Sequence, residues 1–470
     1  MKKYDIAIIG AGVIGCAIAR ELSRYDWQTV VLEKNLEVGE GATKANSAIV
    51  HGGYDPIPGT LKAKFNVTGG KMIRELSTEL DFPYKQIGSL VLAFNEADEA
   101  ILRELLERGI QNGVGGLSII DRAQVLELEP NVSKAVTSAL LCTEAGIVDP
   151  FNLTYAFIEN AMANGVDLIR GCAVRNIIKE ESGFLIKTSQ EDIQAKLVIN
   201  AAGVQADQIA ALLGEVDYII KPRKGDYRVL DKSEGNTVGH VIFQTPTPLG
   251  KGILVTPTVF GNLMIGPDYL EATAKDSLIP SITGLQLIDR QAKLAVPGLR
   301  LDKTIRIFAG LRASTDQGDF LVYPSQTYPG FFHAAGIDSP GLSSSPAIAA
   351  YMLELVLANG LLPARPKPDF ISQRVNIKAL SKLTAEERSE ISLLDPEFET
   401  ITCRCEGVSE GEIRQAIKRP GGPLTIDGVK RRVRAGMGKC QGAYCRSRVT
   451  KLLAEELGIA ADDVMKDSKG

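Results

Sequence analysis

Three absences narrow the field before any motif is read. The 470 residues contain no run of roughly 18 consecutive apolar residues, the length a bilayer-spanning helix needs, so no membrane span of the chain's own is expected. Positive charge is not in excess: 53 Lys and Arg against 57 Asp and Glu leave a formal charge of -4, which offers a nucleic acid no electrostatic footing. Histidine is scarce, and His51, His240 and His333 are the only imidazoles available for proton transfer near neutral pH. Internal repeats and low-complexity tracts are also missing. The start, MKKYDIAIIGAGVIG, follows its apolar stretch with no small-residue cleavage site, so no export signal is read there and a cytoplasmic location is expected. Thiols stay reduced in that compartment, and the seven cysteines are read as ligands or core residues rather than disulfides.

A chain this long exceeds what one hydrophobic core organises, so two or three domains are expected. In YDIAIIGAGVIGCAIARELSRYDWQTVVLEK an apolar strand, residues 6–9, turns through Gly10, Gly12 and Gly15 into a helix-like stretch reaching Ser23. A second apolar run, Thr29 to Leu32, then ends on Glu33 and completes a βαβ unit. Gly10 permits the tight turn, Gly12 lets backbone approach a pyrophosphate, and Gly15 lets helix and strand pack closely. The helix N-terminus faces the phosphates, and Glu33 is positioned to accept hydrogen bonds from ribose hydroxyls. FAD and NAD share this fingerprint, which does not choose between them.

The following segment, GEGATKANSAIVHGGYDPIPGTLKA (residues 39–63), is polar and glycine-rich, as suits a loop that wraps a cofactor. Its Ser-x-x-x-His-Gly-Gly core and Pro-Gly-x-Leu-Lys sequel resemble the FAD-dependent D-amino-acid oxidase family, specifically its glycerol-3-phosphate dehydrogenase and L-2-hydroxyglutarate oxidase branches. LVINAAGVQADQIA, FAGLRASTDQGDFLV and FFHAAGIDSPGLSSSPAIA extend the likeness in family order over nearly all of residues 1–360. The resemblance implies FAD as cofactor. It also implies an α/β fold: a Rossmann-like FAD-binding domain of the D-amino-acid oxidase type with an inserted antiparallel-sheet substrate domain. Expected FAD contacts in the first segments are Gly10, Gly12, Val13, Ile14, Gly15, Glu33, Lys34, Thr43, Ser47 and Ala48. Further along they are Val174, Ala202, Gly203, Gly310, Gly336, Gly341 and Leu342.

Oxidising a secondary alcohol requires a group to accept the hydroxyl proton, and an acidic substrate requires a cation. His51, within the glycine-rich loop, is the candidate for the first role. Arg312, in AGLRAS, matches the family arginine that reaches a substrate phosphate or carboxylate, and its planar fork suits such oxyanions. KPRKGDYRVLD and GKGILVTPTVFGNLMIGPDYLEA alternate apolar residues with turn glycines, the pattern of sheet strands. Lys251, Thr256 and Tyr269 are candidates there for lining the substrate pocket, each equally open to a place on the sheet surface or in the core.

The expected layout is an FAD-binding domain from residues 1–85, 140–215 and 305–360, a substrate domain from 86–139 and 216–304, a linker over 361–395 opening with the proline-rich LLPARPKPDF, and a module over 396–465. In that module Cys403 and Cys405 form C-x-C, and after 34 intervening residues Cys440 and Cys445 form C-x4-C. Soft thiolates in two close pairs bind zinc or an iron-sulfur cluster; by spacing alone structural zinc and unligated core cysteines stay open. The arrangement resembles the bacterioferritin-associated ferredoxin-like domain, which implies a small helical domain with these four cysteines holding a 2Fe-2S cluster, and intervening arginines and lysines that offset its negative charge. Cys16, Cys142 and Cys172 stand alone and are read as buried packing residues.

Together the resemblances imply an FAD-dependent dehydrogenase that takes a small anionic substrate. The leading expectation is oxidation of sn-glycerol 3-phosphate to dihydroxyacetone phosphate by hydride transfer to flavin N5, with electrons leaving through the cluster to an acceptor or a partner subunit, itself a flavoprotein or ferredoxin. Membrane association would come only through such a partner. An L-2-hydroxy acid and an amine or imino acid are the alternative substrates, and a flavin and iron-sulfur redox sensor is the non-enzymatic alternative.

Overall fold

The computed structural model describes residues 1–246, 252–272 and 274–468; Lys251 lies outside them. Strand Lys2–Ile9 does not alternate: from Tyr4 onward its side chains are almost all buried, as in a strand covered on both faces. It pairs in parallel with Ile193–Asn200 and with Thr29–Leu32, which pairs in parallel with Asp167–Ile169. Val174–Glu180 and Gly183–Thr188 extend the sheet antiparallel beyond the start of Ile193–Asn200, while Phe331–Ala335 runs parallel to its end and pairs with Leu321–Pro324. Helices Val13–Leu22, Pro150–Ala163 and Gly341–Asn359 cover one face, burying Ile6, Ile8, Leu197 and Ile199 beneath them. Gly341–Asn359 is the one described helix long and apolar enough to cross a bilayer. It is a core helix, packed against Val13–Leu22 and Leu61–Glu79 with Ile348, Met352 and Val356 fully buried.

A second sheet of nine strands stands over this one. Its path runs Leu270–Glu271, Arg223–Leu230, Leu263–Gly266, Leu254–Pro257, Val241–Gln244, Ser89–Ala93, Ser138–Cys142 and Leu117–Asp121, with Thr304–Arg312 on the other edge of Arg223–Leu230. One departure from an antiparallel sheet occurs where the two inserted segments meet, since Val241–Gln244 pairs with Ser89–Ala93 in parallel. Ser138–Cys142 and Thr304–Arg312 belong to this sheet, so boundaries expected at 140 and 305 fall within its strands. The reason is continuity: each strand enters as the roof and its chain leaves toward the FAD-binding sheet.

The last module is a two-stranded hairpin, Ile401–Cys403 with Val408–Ser409, and helices Glu410–Lys418, Ile426–Val433 and Arg446–Leu457 around Ile413, Ala416, Val429, Leu452 and Leu453. Ser409 and Glu412 form a capping box that starts the first helix. The segment expected to be a linker is, in its first half, a packed strap. Pro366 bridges to Tyr25, the Trp27 indole donates to the Pro363 carbonyl, and Asn160 donates to the Ile371 carbonyl.

The buried Glu159 carboxylate ties strap and module to helix Pro150–Ala163. It accepts from Arg374 of the strap and Arg419 of the module, each at 2.7 Å, and from Arg432. Glu37, also buried, accepts the backbone N–H groups of Leu424 and Thr425 and the Thr425 hydroxyl, all at 2.8 Å. Arg431 pairs with Glu40, and Arg434 with Glu406. Of the arginines between the cysteine pairs, expected to offset cluster charge, Arg419, Arg431 and Arg432 thus dock the module on carboxylates of the flavin-side domain, whereas Arg434 pairs within the module.

Candidate functional site

A cavity of about 490 Å3 opens between the two sheets. Gly10, Gly12, Val13 and Ile14 line it at the N-terminus of the first helix, with Glu33 and Lys34 at the end of the second strand. Gly10 adopts φ +106°, and a Cβ there would lie 2.5 Å from the Ala201 carbonyl oxygen, so only glycine makes this turn. Gly15 does not reach the cavity. A Cβ on it would stand 2.0 Å from the Gly10 carbonyl oxygen, so its contribution is close packing beneath the turn. The Thr43 hydroxyl accepts the Val13 N–H at 3.0 Å, drawing the loop of residues 39–51 onto the helix terminus.

Glu33 accepts the Ala11 N–H at 2.8 Å and both the backbone and side-chain N–H of Asn35. Burial raises its carboxyl above the usual range, and those hydrogen bonds work against the rise. Lys34, Thr43, Ser47, Ala48, Val174, Ala202, Gly203, Gly310, Gly341 and Leu342 also line the cavity. Gly336 does not: a Cβ there would meet Thr315 at 2.9 Å, and its neighbours Ile337, Asp338, Ser339 and Pro340 form the wall instead. A space with the helix N-terminus at one end and an acid beyond it fits the pyrophosphate and ribose of FAD.

His51 and Arg312 face this same cavity from opposite sheets' segments. The His51 backbone N–H donates to the Ser343 hydroxyl at 2.8 Å, and that hydroxyl donates to the Ile49 carbonyl, so the first turn of helix Gly341–Asn359 pins the loop. The other two histidines serve the scaffold: His333 lies between Glu215 and the Tyr218 hydroxyl, and His240 meets Glu129 at 2.6 Å. Arg312 ends its strand with its guanidinium donating to the Lys224 and Asp268 carbonyls, each at 3.3 Å. Among the described residues it has no carboxylate in ion-pair range, and it lies over the Tyr269 ring, 5.4 Å from the centroid. Arg223, its cross-strand neighbour, covers the same ring at 4.9 Å.

Tyr269 lines the cavity, whereas Thr256 is fully buried with its hydroxyl on the Pro257 carbonyl and does not. Strand face does not explain this, because Leu254, two positions earlier and on the same side of the strand, does line the cavity; Thr256 lies further along, past its edge. Tyr227, Phe243, Leu254 and Leu311 form the roof, and Asp268 also reaches the space; the sequence reading passed over all five. Burial pushes the Asp268 carboxyl up, and the hydrogen bond it accepts from the Asp226 backbone N–H works against the rise. Cys172, read as packing, is buried and borders the cavity near Glu33.

Gly225 carries a signal that pattern reading could have caught. A Cβ on it would lie 2.7 Å from both Arg312 Nη2 and Pro267, so glycine is what lets the guanidinium lie flat across the strand. A Gly225→Ala enzyme is expected to displace Arg312 and raise KM for an anionic substrate about tenfold, with kcat within about twofold. Steady-state kinetics check this, and an unchanged KM would dismiss the steric argument.

The four module cysteines converge as two pairs. Cys405 and Cys440 stand 3.5 Å apart at the surface, while Cys403 and Cys445 are buried and hydrogen-bonded to each other. The Gly436 N–H points at Cys403 Sγ at 3.5 Å. The Cys445 hydrogen bond, with help from backbone N–H groups, holds the Cys403 thiol down to about 6, near the thiolate form a metal requires. Two sulfurs on each side fit a binuclear cluster, in which each iron takes two protein thiolates. Cys16 and Cys142 are buried as expected.

The family model described as FAD dependent oxidoreductase matches residues 5–355. The chain belongs to that family. The BFD-like [2Fe-2S] binding domain matches residues 401–455, so this FAD dependent oxidoreductase carries an iron-sulfur-binding domain behind its flavin fold. It is 46% identical over 467 residues to the glycerol 3-phosphate dehydrogenase of Caloramator mitchellensis, covering 99% of this chain and 97% of that one. To the glycerol 3-phosphate oxidase of Mycoplasma genitalium it is 34% identical, covering 76% of this chain and 95% of the relative. The solved L-alpha-glycerophosphate oxidase of Mycoplasma pneumoniae with FAD bound superposes with a TM-score of 0.75 at 30% identity, covering 79% of this oxidoreductase and 98% of that chain.

Proposed function

We propose that this oxidoreductase oxidises sn-glycerol 3-phosphate to dihydroxyacetone phosphate and sends the electrons out through its iron-sulfur domain. The observation that carries the reading is Arg312, an arginine without a carboxylate partner among the described residues, on the same cavity as His51. Arg223 beside it adds a second positive charge around Tyr269, and two cations favour a dianionic phosphate over a single carboxylate. Likeness to a glycerol 3-phosphate dehydrogenase over nearly the whole chain supports the same choice.

Bound in the cavity, FAD supplies the two-electron acceptor and the cluster a one-electron relay. Arg312 holds the phosphate by charge-assisted hydrogen bonds. The His51 imidazole takes the proton of the C2 hydroxyl as the alcohol becomes a ketone. Tyr227, Phe243 and Leu254 in the roof exclude water from the reacting carbon. The reading brings with it a cytoplasmic protein that meets a membrane only through an electron-accepting partner; its seven unbridged thiols are in keeping with that compartment.

Anaerobic addition of sn-glycerol 3-phosphate is expected to bleach the flavin absorbance, with no bleaching by glycerol, L-2-hydroxyglutarate or proline. Bleaching by L-2-hydroxyglutarate alone would replace the substrate. Arg312→Ala should raise KM for glycerol 3-phosphate roughly 10- to 100-fold, the equivalent of one lost charged hydrogen-bonding partner. A KM within about twofold of the parent would remove Arg312 from phosphate binding.

A further inference from the structure

The cysteine pairs differ in what they face. Cys403 and Cys445 are 1% and 3% exposed, whereas Cys405 is exposed and Cys440 half-buried. The outer pair therefore marks the side from which an electron reaches solvent or another protein. Around it Arg404, Lys439 and Arg446 are all exposed, and none is in an ion pair among the described residues. This sets them apart from Arg431, Arg432 and Arg434, each held by a carboxylate. No Asp or Glu occurs from Gly436 to Thr450. Tyr444, between the two cysteines of the second pair, is 86% exposed, although the loop around it is tightly turned. An exposed aromatic in the same cysteine-bearing segments as three exposed cations, none in an ion pair among the described residues, has the composition of an interface centre with a charged rim.

We propose that Tyr444, with Arg404, Lys439 and Arg446, docks an acidic one-electron carrier protein whose carboxylates surround its own redox centre. The inference rests on the reading that substrate electrons leave through the cluster. Per turnover the C2–H and O–H bonds of the alcohol break and the C=O bond forms. Two carrier molecules each gain one electron, and two protons go to solvent. Free cations at the exit raise the encounter rate with an acidic partner, and that advantage is screened by salt.

The test uses the holoenzyme and two probes, the acidic soluble domain of cytochrome b5 and the basic cytochrome c. Calorimetric binding of cytochrome b5 is expected to weaken at least tenfold between about 20 and about 300 mM salt. Lys439→Glu and Tyr444→Ala should each weaken it about tenfold, with matching losses in its reduction by glycerol 3-phosphate. Flavin and cluster absorbance and reduction of a small neutral dye should stay within about twofold of the parent. Should Lys439→Glu lose cluster absorbance, Arg404→Glu decides in its place. Binding of cytochrome c equal to that of cytochrome b5, or charge reversal without effect on binding, would overturn the docking surface. Failure of glycerol 3-phosphate to reduce the dye would instead strike the substrate assignment, since the binding measurement needs no turnover.

Discussion

Replacing His51 by asparagine is expected to lower kcat for glycerol 3-phosphate by about 10²- to 10⁴-fold while leaving KM within a few-fold. Asparagine retains a polar planar group in a loop pinned by Ser343, so the cavity keeps its shape. What it loses is an imidazole nitrogen able to accept the hydroxyl proton. The other histidines offer no substitute, because His333 is enclosed by Glu215 and Tyr218 and His240 by Glu129, neither of them on the cavity. Flavin content and cluster absorbance should match those of the parent. The contrast with Arg312→Ala is diagnostic: one variant loses kcat and the other affinity. A His51→Asn enzyme with kcat within about threefold of the parent would show that the proton leaves by another route.

Glu159→Ala is expected to destabilise the attachment of the iron-sulfur module by about 3–5 kcal/mol, the cost of stripping a buried ionic cluster of the carboxylate its three arginines share. Arg374, Arg419 and Arg432 would be left facing one another, with Arg432 also stacked on the Tyr155 ring at 4.1 Å. Glu159→Gln should be intermediate, since an amide oxygen still accepts hydrogen bonds but brings no charge. Urea titration followed by flavin and cluster absorbance separates the two, and proteolysis between residues 361 and 400 reports release of the strap. The same carboxylate sets an acid limit. Burial opposes its ionisation, yet the three arginines outweigh burial and lower it from 4.5 to about 2. A depressed carboxyl stabilises the folded form fully above its unfolded value, and that contribution fades as pH falls from about 4.5 toward 2. Wild-type stability should drop through that window more steeply than that of Glu159→Gln. Identical acid profiles would remove Glu159 from the attachment.

The readable features were those whose meaning lies within a few turns of chain. Gly10, Gly12 and Glu33 announced the nucleotide end because turn, helix terminus and acid are set by spacing within one βαβ unit. The paired cysteines announced a metal site for the same reason, since a metal imposes short ligand spacings on each strand of its site; resemblance, not spacing, made it a 2Fe-2S site. Gly336 lies between Ala334 and Ile337, which both line the cavity, while its own Cα side is closed by Thr315. Thr256 shares a strand face with Leu254 but lies two residues beyond it, outside the cavity, a distance no alternation pattern reports. The roof residues Tyr227 and Phe243 were missed because an inward aromatic on a strand looks the same whether it meets a core or a cavity.

By itself, then, the amino-acid order determined the cofactors, the two sheets' broad nature and the candidate pair His51 and Arg312, through local spacing and resemblance. Only the tertiary structure decided that the expected linker is, in its first half, a strap, that the basic helix of the module docks on Glu40 and Glu159, and that Arg312 lies over Tyr269 with no carboxylate in ion-pair range among the described residues. Those facts join side chains as far apart as Glu40 and Arg431, 391 positions along the chain. No periodicity links such residues; the energy of burying a charge does, and it is defined only once the chain has folded.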